Sequence, residues 1–207
     1  MFRPELIGKF QRCGVDLLDS VDDILTAALA YLALDPNTTD PAELQRAAEL
    51  ITAIRSFIRR FNSSDYSNAL ALGEVCLVVG WSGDIKQAQR QTLSSERVAR
   101  IGYSIPDDRA QMWLDNLAIP KGAPHPEEAH AFIDFMLIPE MAAKNTNSTR
   151  NANGNLASQG LIAPEIMHDP TIYPLPEVMK KLYAVNTRDP ATQRLLQRLW
   201  TRVKTGQ

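Results

Sequence analysis

The sequence predicts an α/β fold from three observations. Helix-like and strand-like segments alternate along much of the chain, as in sheets whose strands are joined by helices. Residues 75–79 are all apolar and have the length of a buried strand. Residues 42–61 repeat apolar side chains at three–four spacing, which indicates a helix with one buried face.

The first segments predict two helices and a strand. Residues 4–11 predict a short helix with Pro4 in its first turn, and residues 14–19 predict a short strand. Ser20 is expected to cap a helix that continues to residue 34, because serine oxygen accepts an amide hydrogen at a helix start. Acidic residues in its first turn complement the helix dipole.

The helix over residues 42–61 is expected to start at Asp40 and Pro41 and to end with Arg59 and Arg60, whose charges suit a last turn. The next segment predicts a short helix closed by Gly73.

A turn that carries an aromatic ring and a carboxylate follows the strand at residues 75–79. The chain is expected to turn at Gly80 and again at Gly83, to present Trp81 between them, and to begin a helix at Asp84.

The second half predicts further strands and helices. Strands are expected over residues 97–106 and 111–120, and a helix over 129–138. Five asparagines between positions 145 and 155 predict turns. Two closing helices are expected, each with proline in its first turn, over residues 176–185 and 190–206.

Composition excludes several functional classes. The 207 residues allow one large domain or two small ones, and 44% hydrophobic with 22% charged residues is ordinary for a globular protein. A net charge of −2 gives no general affinity for nucleic acid, and no apolar run is long enough to span a membrane. The first residues do not form a secretory signal, so the protein is expected to be cytosolic or to have a signal outside this sequence.

The two cysteines, Cys13 and Cys76, are too far apart for a CxxC redox or zinc motif. Their spacing is compatible with two buried thiols or with one disulfide, which would require an oxidising compartment. A loop of this length would give a disulfide about 4 kcal/mol of stabilisation in the chain-entropy account.

A second aromatic–carboxylate pair lies in the predicted strand over residues 111–120. Side chains two apart share a strand face, so Trp113 and Asp115 are expected to point the same way. With Trp81 and Asp84 they would suit an organic cation: each ring contributes about 0.5–2 kcal/mol, and the carboxylates bind ammonium protons. The alternatives are that Asp84 only caps a helix and that Trp113 is a core residue.

The sequence gives little support for catalysis. No motif places a nucleophilic side chain beside a general base, and no glycine-rich loop could hold a phosphate. The three histidines are not spaced as metal ligands. Asp84 and Asp115 could be considered as a hydrolytic acid–base pair, but no neighbouring motif supports it. We therefore expect no catalytic residue, no cofactor and no metal.

Several stretches, in order along the chain, resemble the periplasmic putrescine/spermidine-binding proteins of bacterial ABC transporters. The similar stretches are "CGVDLLDSVDDILTAALAYLALDPNTTD", "FNSSDYSNALALGEVCLVVGWSGDIKQA", "YSIPDDRAQMWLDNLAIPKGAPHPEEAHAFIDFML", "APEIMHDPTIYPLPEVMKKLYAV" and "RLWTRVKTG". Each motif is modest alone, but together they cover essentially the whole chain.

The resemblance implies a type II periplasmic-binding-protein architecture, in which two α/β lobes clamp a linear polyamine. By position, Trp81 and Trp113 correspond to aromatic walls, and Asp84 and Asp115 to carboxylates that receive ammonium groups. The family usually has a tyrosine at the position of Asn151, so one ring wall is expected to be missing. The partners implied are a polyamine and the ABC permease subunits of the inner membrane, with no nucleic acid.

The resemblance also implies a lobe organisation and a periplasmic location. Residues 1–91 and 139–207 would form the second lobe, and residues 92–138 the remaining segment of a first lobe whose earlier part would precede Met1. The exposed edges of the predicted strands would then favour a swapped dimer. A disulfide between Cys13 and Cys76 is implied as well.

Two alternatives to polyamine capture stay open at this point. The chain could be a truncated product that folds but binds no ligand, or a binding protein for another cationic or opine-like solute.

Overall fold

A computed structural model describes residues 1–93 and 100–206, and the chain divides into two compact units. The first unit contains Met1–Met112 and Lys180–Gln207, and the second contains Trp113–Met179. The lobe boundaries expected near residues 92 and 138 stay a prediction, because these units reflect only the packing of this chain.

The described residues form ten α-helices and five short strands. The helices are α1 (Pro4–Ile7), α2 (Val21–Tyr31), α3 (Pro41–Ile54), α4 (Tyr66–Ala71), α5 (Ser82–Leu93), α6 (Pro126–Leu137), α7 (Pro139–Thr149), α8 (Pro164–Met167), α9 (Pro176–Met179) and α10 (Pro190–Thr205). The strands are β1 (Val15–Leu17), β2 (Arg60–Phe61), β3 (Leu77–Val78), β4 (Ala110–Gln111) and β5 (Leu182–Tyr183). No described helix is both long enough and apolar enough to cross a bilayer.

The first unit is built on a parallel sheet with the strand order β2-β1-β3. Strand β1 lies in the centre, where Asp16 is aligned with Arg60 on one side and with Val78 on the other. The α/β prediction is confirmed, because each parallel pairing requires the chain to return through helices. The predicted strands at residues 14–19 and 75–79 are confirmed in shorter form, whereas β2 was not predicted.

The helix starts agree with the sequence because capping is local. Ser20 Oγ accepts from the amide of Asp23 at 3.3 Å, and Asp40 Oδ1 accepts from the amide of Ala42 at 2.9 Å. Asp189 Oδ1 accepts from the amide of Ala191 at 2.8 Å at the start of α10. These bonds satisfy amide groups that lack partners within the helix.

The predicted end of α3 is wrong. The helix stops at Ile54, a 3₁₀ turn covers Arg55–Phe57, and the chain becomes extended at Ile58. The backbone beyond bonds to β1 instead, with Arg59 N to Val15 O at 2.7 Å. Pairing with β1 therefore determines the structure after the helix, although the helical periodicity of the sequence continues.

The interpretation of Arg59 and Arg60 as last-turn charges is therefore also wrong. Arg60 binds the buried carboxylate of Asp16, through Nε at 3.0 Å and Nη2 at 2.9 Å, both to Oδ2. Arg59 Nη1 donates to the carbonyl of Glu74 at 2.6 Å.

The core of the first unit lies between the sheet and the helices α2, α3 and α10. The buried face of α3 contains Leu44, Ala47, Ile51 and Ile54, as its periodicity predicts. On α10, Trp200 is buried as well.

A polar contact fixes the end of α10 to the β1–α2 connection. The Asp19 carboxylate accepts from Trp200 Nε1 and from Lys204 Nζ, each at 2.9 Å. Burial alone would raise the pKa of Asp19, but the bonds from Lys204 and Trp200 outweigh it and lower the pKa.

The predicted strands in the middle of the chain are not found where the structure describes them. Residues 97–99 lie outside the described residues, and 100–106 have no regular secondary structure. Of residues 111–120, only Gln111 belongs to a strand, because β4 pairs with β5 and no other described strand runs beside the following residues. An extended segment without a neighbour lacks the ladder bonds that define a strand.

The predicted helix over residues 176–185 is confirmed only at its start, in α9. Leu182 and Tyr183 instead pair with β4, and the amide of Met112 donates to the carbonyl of Tyr183 at 2.8 Å. This small sheet is fastened to α2, where Thr26 Oγ1 bonds Gln111 Oε1 at 3.0 Å. Long-range pairing again overrides local preference.

The second unit contains α6–α9 and a small core that includes Ile162, Ile166 and Ile172. Its asparagines do not simply form turns. Two of the five lie within α7, and Asn153 bonds Thr146 Oγ1 at 2.9 Å and accepts from Ser158 Oγ at 3.0 Å. The asparagine side chains thus attach the loop after α7 to the helix itself.

Candidate functional site

The candidate site lies where the strands of the parallel sheet end. Asp23 is in the first turn of α2 after β1, Tyr66 begins α4 after β2, and Trp81 precedes α5 after β3. Parallel strands bring their carboxyl ends to one edge, and open α/β sheets bind ligands outside that edge, where the strand order reverses. Here the reversal is at β1, which has later strands on both sides.

Trp81 presents its indole ring beside a carboxylate. Its side chain is 37% exposed, and Nε1 lies 3.4 Å from Asp23 Oδ1. The ring of Tyr66 meets the indole edge-on, with centroids 6.2 Å apart and planes at 75°. An indole held in this way keeps part of its surface available to a ligand while one edge is fixed.

Tyr66 joins the two residues that the sequence identified. Its hydroxyl accepts from the amide of Trp81 at 2.9 Å and donates to Asp84 Oδ2 at 2.7 Å. Burial raises the pKa of Tyr66, and the bond to Asp84 raises it further. The phenol therefore keeps its proton near neutral pH and acts as a donor to the carboxylate.

Gly80 permits this arrangement by having no side chain. A Cβ at this position would lie 2.1 Å from Cε2 of Tyr66, a distance that real Cβ atoms do not reach. The backbone entering the Trp81 turn can approach the tyrosine ring only because residue 80 is glycine.

Asp84 lies inside α5, not before it. The helix begins at Ser82, so Gly83 is a buried helical residue and the predicted second turn there is wrong. The alternative that Asp84 caps the helix is wrong for the same reason. Its position in the first turn still suits a negative charge, because the helix dipole is positive there.

The second predicted pair lies in a segment without regular secondary structure. Trp113 is 51% exposed and Asp115 is exposed, so the alternative that Trp113 is a core residue is wrong. The argument that the two share a strand face also fails, because residues 112–120 form no strand. Asn151 is exposed two residues beyond the end of α7, and its backbone amide donates to Thr149 Oγ1 at 3.3 Å.

Sequence reasoning missed Tyr66 and Asp23. Tyr66 stands in an ordinary helix-opening stretch, and nothing local indicates that its hydroxyl reaches residues 15 and 18 positions away. Asp23 was interpreted only as a first-turn charge. Its partial signal was a carboxylate in the first turn of a strongly apolar helix, where burial of the charge requires a partner.

The disulfide implied by the resemblance is present. Cys13 and Cys76 are bonded, with Cα atoms 5.7 Å apart, and they link the residues just before β1 and β3. The alternative of two buried thiols is wrong.

No group of three or more potential metal ligands occurs within residues 1–93 and 100–206. Around Trp81, the site offers aromatic surface and the carboxylate oxygens of Asp23 and Asp84, which together suit an organic cation.

Comparison with known proteins gives consistent matches. The family described as bacterial extracellular solute-binding protein matches residues 8–179. The putrescine-binding periplasmic protein SpuD of Pseudomonas aeruginosa is 43% identical over 206 residues, and a putrescine/agmatine-binding protein of the same species is 37% identical. Each match covers 100% of this chain and 56% of the relative, so the chain spans about half the length of these relatives.

A solved structure has the same fold. A protein described as a spermidine/putrescine ABC transporter from Listeria monocytogenes superposes with a TM-score of 0.86 at 25% identity. The superposition covers 100% of this chain and 60% of the other.

Proposed function

The chain belongs to the bacterial extracellular solute-binding proteins, and on this premise we propose that it forms part of the solute-binding component of a polyamine ABC uptake system. The ligand is putrescine or spermidine, captured without chemical change and without a cofactor. The protein acts in the periplasm and delivers its ligand to permease subunits in the inner membrane. The proposal concerns a protein of the relatives' full length, of which this chain covers about half.

One observation supports this function above the others. The partly exposed indole of Trp81 is held beside Asp23 and connected through Tyr66 to Asp84. An aromatic face attracts a cation by about 0.5–2 kcal/mol and also covers a methylene chain. The carboxylates supply charge-assisted hydrogen bonds for an ammonium group. A linear diamine needs both kinds of contact.

We propose that Trp113 and Asp115 contribute a second aromatic wall and a second ammonium acceptor. Their exposure leaves both side chains accessible to solvent and therefore to a solute. Asn151 is proposed to lie at the same ligand and to provide an amide where the family usually has a ring. Loss of that ring surface would weaken contact with the methylene chain.

A thermal-shift screen tests the proposal directly. Putrescine, spermidine and cadaverine should raise Tm by mass action, with about 2.7 kcal/mol of stabilisation when the ligand is at a hundred times its Kd. Other cations and opine-like solutes belong in the same screen. A shift with these but not with polyamines would favour the alternative ligand class, and no shift at all would favour a chain that folds without binding.

The variants Asp84→Asn and Asp115→Asn test whether these two carboxylates bind the ligand. Each removes a negative charge while keeping the shape of the side chain, so putrescine affinity measured by calorimetry should fall by at least about tenfold. Asp134→Asn, at an exposed position on α6, is the matched control and should leave affinity unchanged. Unchanged binding in Asp84→Asn would rule out this site.

A further inference from the structure

We propose that Tyr66 sets the ligand selectivity of the candidate site, by making Asp84 a better partner for an ammonium group than for a guanidinium group. This inference rests on the proposed function, because it concerns which cationic end Asp84 accepts. Tyr66 would act as a positioning residue through Asp84, without needing to touch the ligand.

The Tyr66 hydroxyl uses its single hydrogen on Asp84. A hydroxyl has one hydrogen to donate, and that hydrogen is directed to Asp84 Oδ2 at 2.7 Å. The same oxygen accepts the amide hydrogen of Trp81 at 2.9 Å, which fixes its direction from the other side. The bond therefore engages the same carboxylate oxygen persistently.

The tyrosine ring cannot easily turn away. Tyr66 is 1% exposed, and its ring packs directly over Gly80 and lies in a T-shaped contact with the ring of Trp81. A rotation that released Asp84 would have to displace the backbone at Gly80, just after β3. The hydrogen bond and the orientation of the Asp84 carboxylate are thus parts of one rigid contact.

Ammonium and guanidinium groups use the two oxygens of Asp84 differently. An ammonium group is a compact charge that needs a single acceptor at Asp84, and Oδ1 is the oxygen not engaged by Tyr66. A guanidinium group gains most from a carboxylate when two parallel N–H groups meet both oxygens. A guanidinium that used both oxygens would have to share Oδ2 with the Tyr66 hydroxyl, which weakens its second hydrogen bond. An ammonium at Oδ1 has no such competitor at its acceptor oxygen, so the ammonium is favoured.

Tyr66→Phe tests this inference, because it keeps the ring over Gly80 and removes only the hydroxyl. The ligands are putrescine and 1,4-diguanidinobutane, which has a guanidinium group at both ends and so cannot offer an ammonium to Asp84. The ratio of their Kd values, measured by calorimetry on the full chain, should shift by about fivefold to tenfold toward the guanidinium ligand. Tyr31→Phe, at an exposed tyrosine at the other end of α2, should leave the ratio unchanged.

A double-mutant cycle separates positioning from general loosening of the fold. In an Asp84→Asn background, Tyr66→Phe should no longer change the ratio, because the carboxylate through which it acts is gone. If Tyr66→Phe weakened the binding of both ligands equally, or left the ratio of their Kd values unchanged, the inference would be overturned. The inference would also be overturned if Tyr66→Phe changed the Kd ratio as much in the Asp84→Asn background as in the wild type.

The wild-type chain provides a measurement that does not depend on any variant. It should bind putrescine more tightly than 1,4-diguanidinobutane, and equal or reversed affinities would contradict a selective Asp84. If a protein of the relatives' full length that contains this chain bound neither ligand, the proposed function itself would fail, and this inference with it. Binding of both ligands with a ratio insensitive to Tyr66 would remove the inference alone.

Discussion

The Tyr66 hydroxyl donates a 2.7 Å hydrogen bond to Asp84 Oδ2, across a separation of 18 residues. This contact joins the starts of two helices that follow different strands of the same sheet. It also explains how a carboxylate in a first helical turn is held in a fixed orientation beside an exposed indole.

Gly80→Ala should destabilise the first unit and loosen the Trp81 turn. The new Cβ would overlap the Tyr66 ring, so either the ring or the end of β3 must move. Overpacking of this kind typically costs about 1–3 kcal/mol. Urea unfolding measures the cost, and Gly102→Ala is the control because a Cβ there meets nothing within 4 Å. Equal stabilities of the two variants would show that the ring adapts freely.

Arg60→Met should lower the free energy of unfolding by about 1–3 kcal/mol, because it leaves the Asp16 carboxylate buried without its cation, although solvent already screens the partly exposed arginine. Denaturant unfolding of the variant against Arg46→Met, an exposed arginine on α3, isolates the effect of the pair.

The double variant Asp16→Leu/Arg60→Met adds a second check. Removing both charges should recover much of the lost stability, since an apolar residue needs no partner in the core. A double variant as unstable as Arg60→Met alone would mean that arginine packing, and not the buried charge, dominates.

Reduction of the Cys13–Cys76 disulfide should lower stability by about 4 kcal/mol, because the bond closes a loop of 63 residues in the unfolded chain. Thermal unfolding with and without reductant measures the change. The variant Cys13→Ser/Cys76→Ser should show the reduced stability under both conditions. A wild type that was no more stable than this variant in the absence of reductant would contradict the assignment.

Asp19→Asn should reduce stability by about 1 kcal/mol at neutral pH, because the amide binds Lys204 and Trp200 less strongly than the carboxylate does. The pKa of Asp19 is lower in the folded state than in the unfolded state. Its contribution is therefore fully present above the unfolded pKa of about 3.9, and is lost as pH falls through the folded pKa.

The pH profile makes this prediction specific. The difference in Tm between the wild type and Asp19→Asn should be constant from about pH 5 to 8 and shrink below about pH 4. Asp108→Asn, at an exposed position, should differ little from the wild type throughout. A difference that grew on acidification would contradict the lowered pKa.

The sequence predicted the family and the α/β class, and both are confirmed. It also singled out Trp81 and Asp84 by their residue types at the end of a strand, and their role as ligand contacts stays a prediction. The disulfide was predicted from the resemblance to the family, because the spacing of Cys13 and Cys76 was compatible with either two buried thiols or one disulfide. The helix starts at Ser20 and Asp40 were also predicted correctly, because a cap involves atoms only two or three residues apart.

Tertiary structure decided the features that depend on distant partners. The end of α3 and the strand at Arg60–Phe61 follow from pairing with β1, and residues 112–120 form no strand because no described strand lies beside them. The hydrogen bonds of Tyr66 to Trp81 and Asp84 likewise form only when the folded chain brings the ends of three strands to one edge of the sheet. A cap is complete within one turn of chain, whereas a ladder or a buried hydroxyl needs a partner that only the folded chain supplies.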